Sequence, residues 1–261
     1  EKIRVSEARR QRVLKTMEEL GYSQNMLAQG LRRRRTPVVG ICVPFTSITY
    51  FAALVDDFED VASDRGFEIM QVLTQLDPDR ELQRVRALLK YHVSGIILVP
   101  GLRSEATLDV IASSGTPLVI VDRPTQDQRF DQVSFDNRGV MFEATSRLIA
   151  LGHKRILFVV RQRHLSVTVQ RVQGLREASR QGYGNIEIEV LECGYDEASF
   201  MARLSPELQG GQRPSVIIVS NSVLAAWTLR ALRALGVFCP EEVSLLAFDE
   251  PEWADLVTPR L

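Results

Sequence analysis

Beyond residue 37, short and uninterrupted runs of apolar residues alternate with longer segments of helical periodicity. An uninterrupted apolar run is typical of a strand buried on both faces of a parallel sheet, and regular alternation with helices indicates doubly wound α/β layers. The pattern therefore predicts parallel sheets covered by helices. The predicted strands are Val38–Val43, Phe67–Leu73, Gly95–Val99, Pro117–Val121, Arg155–Val160, Ile186–Leu191, Ser215–Val219 and Val243–Phe248.

The segments between these strands include three with apolar residues on a single helical face. The three sets are Leu54, Phe58, Val61 and Ala62; Leu82, Val85 and Leu89; and Leu224, Trp227, Ala231 and Leu235. The second and third helices carry more apolar residues than one face needs, which suggests a second covered surface.

One polar segment, Asp131–Gly139, lies near the middle of the series of strands and helices. Eight strands could form one sheet, but an interruption of this kind favours two. We therefore expect an N-terminal subdomain over residues 38–137 and a C-terminal subdomain over residues 138–261.

Composition excludes several classes of protein. Hydrophobic residues make up 45% of the 261 residues and charged residues 25%, the usual mixture for a folded soluble protein. No apolar run approaches the roughly 20 residues that span a bilayer. Cys42, Cys193 and Cys239 are too scattered for a disulfide framework or a metal cluster. We expect a cytoplasmic protein, without a metal site or cofactor, that does not bind membranes.

The sequence offers no catalytic residues. It contains neither a Gly-rich phosphate loop nor a GxSxG motif, and His92 and His164 have no partner at a useful spacing. His153 lies in a Leu-Gly-His segment where a structural role is expected. These observations argue against an enzyme.

The charges are unevenly distributed. Residues 1–35 hold ten Lys and Arg against four Glu, whereas the remainder holds 22 basic and 29 acidic residues. A basic arm on an acidic body suggests contact with a polyanion, and a solvated basic tail is the alternative.

The basic arm has its own pattern of helix signals. Ser6 is a good N-cap with Glu7 in the first turn, and Gly21 is a typical C-terminal stop. A second, shorter helix is predicted over Asn25–Leu31, followed by the basic linker Arg32–Arg35. We expect residues 1–24 to be a partial helical module and residues 25–37 to be a hinge.

Several motifs, in order along the chain, are together similar to LacI/GalR-type transcriptional repressors. They are Val5-Ser6-Glu7, Arg12-Val13, Glu19-Leu20-Gly21-Tyr22, Asn25-x-x-Ala28-x-x-Leu31, Val121-Asp122-Arg123, Asp136-Asn137, Leu151-Gly152-His153-Lys154-Arg155-Ile156, Arg171-x-x-Gly174, Ala231-Leu232-x-x-Leu235-Gly236, Pro240-Glu241-Glu242-Val243-Ser244 and Phe248-Asp249.

The resemblance implies an overall architecture and a set of partners. The fold class would be α/β, with two doubly wound parallel-sheet subdomains (periplasmic-binding-protein-like) preceded by a partial helical DNA-binding headpiece. The partners would be operator DNA, a small-molecule effector and a second copy in a homodimer. By the same comparison, we expect the sequence to begin after the first two headpiece helices and to stop before the end of the C-terminal subdomain.

The resemblance also implies DNA contacts in the hinge. They would come from Asn25, Ala28, Leu31 and Arg32, with Leu31 wedged between base steps, where an apolar side chain unstacks the bases and bends the duplex. Gly30 lowers helix propensity by about 1 kcal/mol relative to Ala, so this hinge helix is expected to be weak. The alternative is that Leu31 packs on the body of the protein.

A ligand cleft follows partly from the fold class, because ligands of open parallel sheets bind beyond the carboxyl ends of the strands. Polar residues stand at several of these ends. Arg123 is such a strand-end residue, and the resemblance assigns further effector contacts to Tyr50, Phe51, Asp136, Arg171, Tyr195, Asn221 and Asp249. Several have simpler alternatives: Asp136, Asn221 and Asp249 as helix N-caps, Arg171 as a solvated charge, and Tyr50 and Phe51 as ordinary core.

Some residues depart from the family pattern. Ser222 stands where relatives usually have Asp, and Leu165 and Val167 occupy a loop that is polar in some members. The predicted function is a repressor that senses a small sugar or sugar-acid-like metabolite. The alternatives are a solute-binding receptor of the periplasmic sugar-binding type, and an enzyme built on the same layers.

Overall fold

The computed structural model describes residues 6–20, 36–182, 185–258 and 260–261. The predicted helix over Asn25–Leu31, its stop at Gly21, the basic linker, and the proposed DNA contacts Asn25, Ala28, Leu31 and Arg32 all lie outside the described residues. Within the basic arm, the first helix begins directly after Ser6, as predicted, and its side chains are mostly exposed.

The described residues form nine strands, eight α-helices and one 3-10 helix. In chain order they are α1 (Glu7–Glu19), β1 (Val38–Val43), α2 (Thr49–Asp64), β2 (Glu68–Leu73), α3 (Pro78–Lys90), β3 (Gly95–Leu98), α4 (Glu105–Ser114), β4 (Leu118–Val121), β5 (Asp131–Val133), α5 (Asn137–Ala150), β6 (Arg155–Val160), α6 (Ser166–Gln181), β7 (Glu187–Glu192), α7 (Glu197–Gln209), β8 (Val216–Val219), α8 (Ser222–Leu235), β9 (Ser244–Ala247) and the 3-10 helix Glu252–Leu256.

The strands form two parallel sheets, and the predicted fold class is confirmed. The first sheet has the order β2-β1-β3-β4-β5 and the second the order β7-β6-β8-β9. We call the two sheets with their helices the first and second lobes. The subdomain boundary predicted at residue 137 falls at the first residue of α5, and it stays a prediction.

Each sheet is buried on both faces, as the continuous apolar runs predict. In the first lobe, Ile41 packs with α2 on one face, and the next residue, Cys42, packs with α3 and α4 on the other. In the second lobe, Leu157 packs with α7 and α8, whereas Phe158 packs with α5 and α6. Because every strand pair is parallel, the carboxyl ends of the strands lie at one edge of each sheet.

Two details differ from the sequence prediction. The segment Asp131–Gly139 is not only a connection, because it contributes the edge strand β5 and the start of α5. Val61, expected on the buried face of α2, is 51% exposed, whereas Leu54 and Phe58 of the same predicted face pack against the core of the first lobe.

Candidate ligand-binding site

A cavity of about 330 Å³ opens between the two lobes, at the carboxyl ends of their strands. In the first lobe its lining comes from the segment after β1 and the residues after β4. In the second lobe it comes from the residues that follow β6, β8 and β9, together with α6. This is the position that the fold class predicts for a ligand, and we call it the interlobe cavity.

The structure brings together most of the residues predicted to bind a ligand. Those lining the interlobe cavity are Tyr50, Phe51, Arg123, Arg171, Tyr195, Asn221 and Asp249. Their assignment as effector contacts stays a prediction, but their convergence from both lobes on one cavity is a structural fact.

Asp136 is the one predicted residue that the structure places outside this lining. Its Oδ1 accepts a hydrogen bond of 2.8 Å from the backbone N–H of Gly139, so it is the N-cap of α5. The neighbouring Asn137 lines the cavity instead, with 3% of the residue exposed. The helix-cap alternative therefore describes Asp136.

Arg171 is the centre of a polar cluster in the second lobe. Its Nε donates to Oδ1 of Asn137 at 2.8 Å, its Nη1 donates to the carbonyl oxygen of Ser220 at 3.1 Å, and its guanidinium lies 3.7 Å from the ring centroid of Phe248. Burial lowers the pKa of Arg171 to about 10, although Asp122 and Asp249 act in the opposite direction. An arginine with this pKa stays charged at neutral pH, so it is not a solvated surface charge but a fixed cation in the cavity.

Asn221 and Asp249 combine capping with exposure to the cavity. Asn221 accepts from the backbone N–H of Leu224 at 3.0 Å as the N-cap of α8, and Oδ2 of Asp249 accepts from the N–H of Ser222 at 3.2 Å. Asp249 thus binds the N-terminus of α8 and is not the N-cap of the helix that follows it in sequence. Burial raises the pKa of Asp249, whereas the Ser222 N–H and Arg171 lower it.

The first lobe contributes a second charged group, formed by Asp122 and Arg123 with Tyr50. Asp122 adopts a positive φ of 68°, an uncommon conformation for a residue other than glycine and one that often occurs at functional sites. Burial raises the pKa of Asp122, whereas Arg123 and Arg171 lower it. The pKa of Tyr50 is raised by burial and by the charge of Asp122. Tyr50 therefore remains a neutral hydroxyl.

Arg123 is almost fully buried, with 7% of the residue exposed. Its Nε lies 3.5 Å from Oδ2 of Asp122, its Nη1 donates to the carbonyl oxygen of Pro100 at 3.2 Å, and its guanidinium stands over the Phe51 ring at 5.5 Å. Phe51 is 4% exposed and packs in the core of the first lobe, so the core alternative describes most of its surface.

The remaining walls are mainly apolar. Phe45 and Tyr195 face one another across the lobes at 6.2 Å between ring centroids, and Leu165 and Val167 line the cavity as their sequence position suggested. An apolar enclosure with a few convergent polar groups is the usual form of a small-molecule site.

Arg161 and Gln162 are among the polar cavity residues that sequence reasoning missed, together with Thr168 and Ser220. Arg161 and Gln162 follow β6 directly, so the rule that ligands bind at the carboxyl ends of strands could have found them. They stand in no motif of the family resemblance, which explains why they were overlooked.

The described residues contain neither a metal-binding cluster nor a membrane-spanning helix. Within ranges 6–20, 36–182, 185–258 and 260–261, no group of three or more His, Cys, Asp and Glu side chains could hold a metal ion. No helix in the same ranges is long and apolar enough to cross a membrane.

Comparison with known proteins shows what the chain is similar to. Residues 145–261 match the family profile of the periplasmic binding protein-like domain. The HTH-type transcriptional regulator DegA of Bacillus subtilis is 27% identical over 99% of this chain and 77% of its own length. A LacI-family transcriptional regulator from Silicibacter pomeroyi has the same fold, with a TM-score of 0.82 and 24% identity over 99% of this chain and 78% of that one. Along nearly its whole length the chain is similar to transcriptional regulators of this kind.

A further structure, the complex of the transcriptional regulator CelR with cellobiose, has a TM-score of 0.74 and 25% identity, covering 99% of this chain and 79% of that one. The DegA match extends along nearly the whole chain. A LacI-family regulator is therefore better supported than the receptor alternative.

The structure gives physical reasons for two LacI-family motifs. In Arg171-x-x-Gly174, Arg171 reaches the cavity, while Gly174 lets α6 approach α5 so closely that a side chain would collide with the Arg138 carbonyl oxygen. In the Leu-Gly-His segment, Gly152 adopts a φ of 96°, and Nδ1 of His153 lies 3.0 Å from Oγ of Ser215. This contact ties the end of α5 to the second sheet, in agreement with a structural role for His153.

Proposed function

We propose that the two lobes of this LacI-family regulator close on a small effector, a sugar or sugar-acid-like metabolite, and that closure changes its binding to operator DNA. The observation that carries the proposal is the interlobe cavity, where Asp122 and Arg123 of the first lobe face Arg171, Asn221 and Asp249 of the second. A ligand that bonds to both sets is bound more tightly by the closed arrangement, and it therefore shifts the population towards it.

The chemistry of the cavity suits a polyhydroxylated ligand. Carboxylate and amide oxygens accept hydrogen bonds from hydroxyl groups, the arginines donate to hydroxyl or acidic oxygens, and Tyr50 and Tyr195 add aromatic faces with polar tips. The volume is in the range of small-molecule sites. The cellobiose complex of CelR supports a sugar-like effector.

Operator binding is proposed to come from the basic arm. The DNA contacts would be Asn25, Ala28, Leu31 and Arg32, on the strength of the family resemblance. By linkage, an effector that weakens operator binding must itself bind the DNA complex more weakly by the same factor.

A homodimer is part of the same proposal. Much of the apolar surface of α3 and α8 is used within each lobe, since Val85, Leu88, Leu224 and Ala231 are buried in the monomer. The support for a dimer is therefore the resemblance to LacI-type regulators more than any surplus of apolar side chains on these helices.

The test is thermal unfolding of the chain in the presence of sugars, sugar acids and purines. A ligand present at about 100 times its Kd adds about 2.7 kcal/mol to the free energy of unfolding, which is readily measured. Hydrogen exchange with the best ligand should show protection in the residues after β4, β6 and β9. The ligand should be recovered chemically unchanged, since we propose a binding protein and not an enzyme. Protection confined to one lobe, or to surfaces away from the cavity, would contradict the proposal.

A further inference from the structure

Arg161 is a cation held at the cavity wall by aromatic rings. It follows the last residue of β6, and its guanidinium carbon lies 5.4 Å from the ring centroids of both Tyr195 and Trp227. These contacts fix the position of the side chain beside the cavity that it lines.

The aromatic contacts leave part of the hydrogen-bonding capacity of Arg161 unused. A guanidinium carries five N–H donors in its plane, whereas ring faces interact with its charge. The Nε of Arg161 is buried and has no hydrogen-bond partner. Among the described residues, no hydrogen-bond acceptor is paired with the Arg161 guanidinium, so the group is available to a ligand in the cavity that it lines.

Arg161 also differs from the other two cavity arginines in its charge environment. Arg123 forms an ion pair with Asp122, and Arg171 is attracted electrostatically by Asp122 and Asp249. No carboxylate of the described residues forms an ion pair with Arg161.

The carboxylate at the end of the neighbouring strand β7 forms an ion pair with a different arginine. Glu192, the last residue of β7, lies 3.8 Å from the Nε of Arg163. Among the charged side chains that line the cavity, three are arginines and two are aspartates, so the surplus positive charge is located at Arg161. Burial lowers the pKa of Arg161 but leaves an arginine charged at neutral pH.

Gln162 adds an acceptor next to this cation. Its Oε1 is buried without a hydrogen-bond partner, and the residue lines the same cavity. A hydroxyl oxygen could accept from Arg161, but only an anionic oxygen also balances its charge, and a ligand hydroxyl can donate to Gln162.

We propose that the effector carries an anionic oxygen group, a carboxylate or a phosphate, which binds Arg161, and a nearby hydroxyl that donates to Gln162. The inference rests on the proposed function and narrows its effector to acidic sugar derivatives. Neutral sugars leave Arg161 unpaired in the closed cavity, so the cavity selects against them.

The neighbouring Trp227 provides a direct readout, since a ligand group that binds Arg161 changes the surroundings of that indole. In a Trp253→Phe background, Trp227 is the single tryptophan of the chain. The chain is titrated with glucose, glucuronate and glucose 6-phosphate, with the galactose counterparts, and with acetate and inorganic phosphate, all at constant ionic strength.

We expect saturable fluorescence changes with the acidic compounds and at least tenfold weaker binding of the matched neutral sugars. Arg161→Gln should reduce the affinity for the acidic compounds roughly ten- to a hundredfold, as expected for the loss of a charged hydrogen bond. Arg163→Gln is the matched control, because Arg163 is exposed and absent from the cavity lining, and its affinities should be unchanged. Preference for the carboxylate or the phosphate of a matched pair identifies the acidic group.

Two results would overturn the inference: neutral sugars that bind as tightly as their acidic counterparts, or acidic compounds whose affinity is unaffected by Arg161→Gln. Calorimetry on the same panel separates the two proposals. In one outcome, neutral sugars bind, Arg171→Ala abolishes their binding, and the acidic compounds show no response that depends on Arg161. That outcome contradicts the anionic effector but supports the interlobe site. Failure of every compound, acetate and phosphate included, counts against both.

Discussion

The guanidinium of Arg171 lies 3.7 Å from the centroid of the Phe248 ring, so a residue of α6 and the residue that follows β9 form one stacked unit on the cavity wall. The stack occupies the face of the guanidinium, and the N–H groups at its edge donate hydrogen bonds to Asn137 and Ser220. It explains how a long side chain is held in one orientation without a direct ion pair.

Phe248→Leu should therefore weaken effector binding while the fold is kept. A desolvated cation–π contact is worth up to about 2 kcal/mol, and we expect affinity to fall by roughly three- to thirtyfold. Phe130→Leu is the matched control, since Arg129 stands over Phe130 at 5.6 Å away from the interlobe cavity. Equal affinities of the two variants, measured by calorimetry, would show that the stack does not contribute to effector binding.

Asp136→Ala should act on stability. Loss of the N-cap of α5 costs about 1 kcal/mol of the free energy of unfolding, measured by urea denaturation. Asp136→Asn preserves an acceptor for the Gly139 N–H and should recover most of the loss. If Asp136→Ala left the stability intact but abolished effector binding, Asp136 would be a ligand contact after all.

Glu81 should make the stability depend on pH. Its side chain is buried, Oε2 accepts from the N–H of Gly101 at 2.8 Å, and Oε1 has no partner. Burial raises its pKa above the ordinary value of 4.5, although the nearby Ser104 hydroxyl, the hydrogen bond from Gly101 and the charge of Arg123 oppose the shift.

Because the folded protein holds this proton more tightly than the unfolded chain, the free energy of unfolding should decrease as the pH rises from about 4.5 through the raised pKa. Glu81→Gln removes the titrating group and should flatten this decrease in urea denaturation at a series of pH values. Identical pH profiles for the two proteins would show that Glu81 does not contribute.

The proposed dimer predicts concentration-dependent association. Sedimentation equilibrium should detect a dimer at tens of micromolar protein, an expectation that rests on the resemblance to LacI-type regulators. A purely monomeric chain throughout that range would count against the dimer without affecting the interlobe site.

The sequence predicted the sheets well for a physical reason. Strands such as Val38–Val43 and Arg155–Val160 are buried on both faces, and an apolar run records that burial directly. The edge strand Asp131–Val133 was missed because it is short and polar, with two of its three residues exposed. An edge strand of this kind leaves no hydrophobic pattern to detect.

The site was predictable only in part. Arg171 and Asp249 were found because they stand in family motifs, but the choice between Asp136 and Asn137 depends on the turn that begins α5. The cap geometry directs Asp136 to Gly139 and leaves Asn137 facing Arg171. Arg161 was missed because its role depends on Tyr195 and Trp227, which are distant in sequence.

The interlobe site is tested most directly by calorimetry of Arg171→Ala with the tightest ligand of the panel. Arg176→Ala, an exposed residue of the same helix, is the matched control. Loss of a charged hydrogen-bonding partner should cost about 1.5–3 kcal/mol, so the affinity should fall roughly ten- to a hundredfold in Arg171→Ala and be unchanged in Arg176→Ala. Unchanged affinity in a folded Arg171→Ala protein would contradict effector binding at this site.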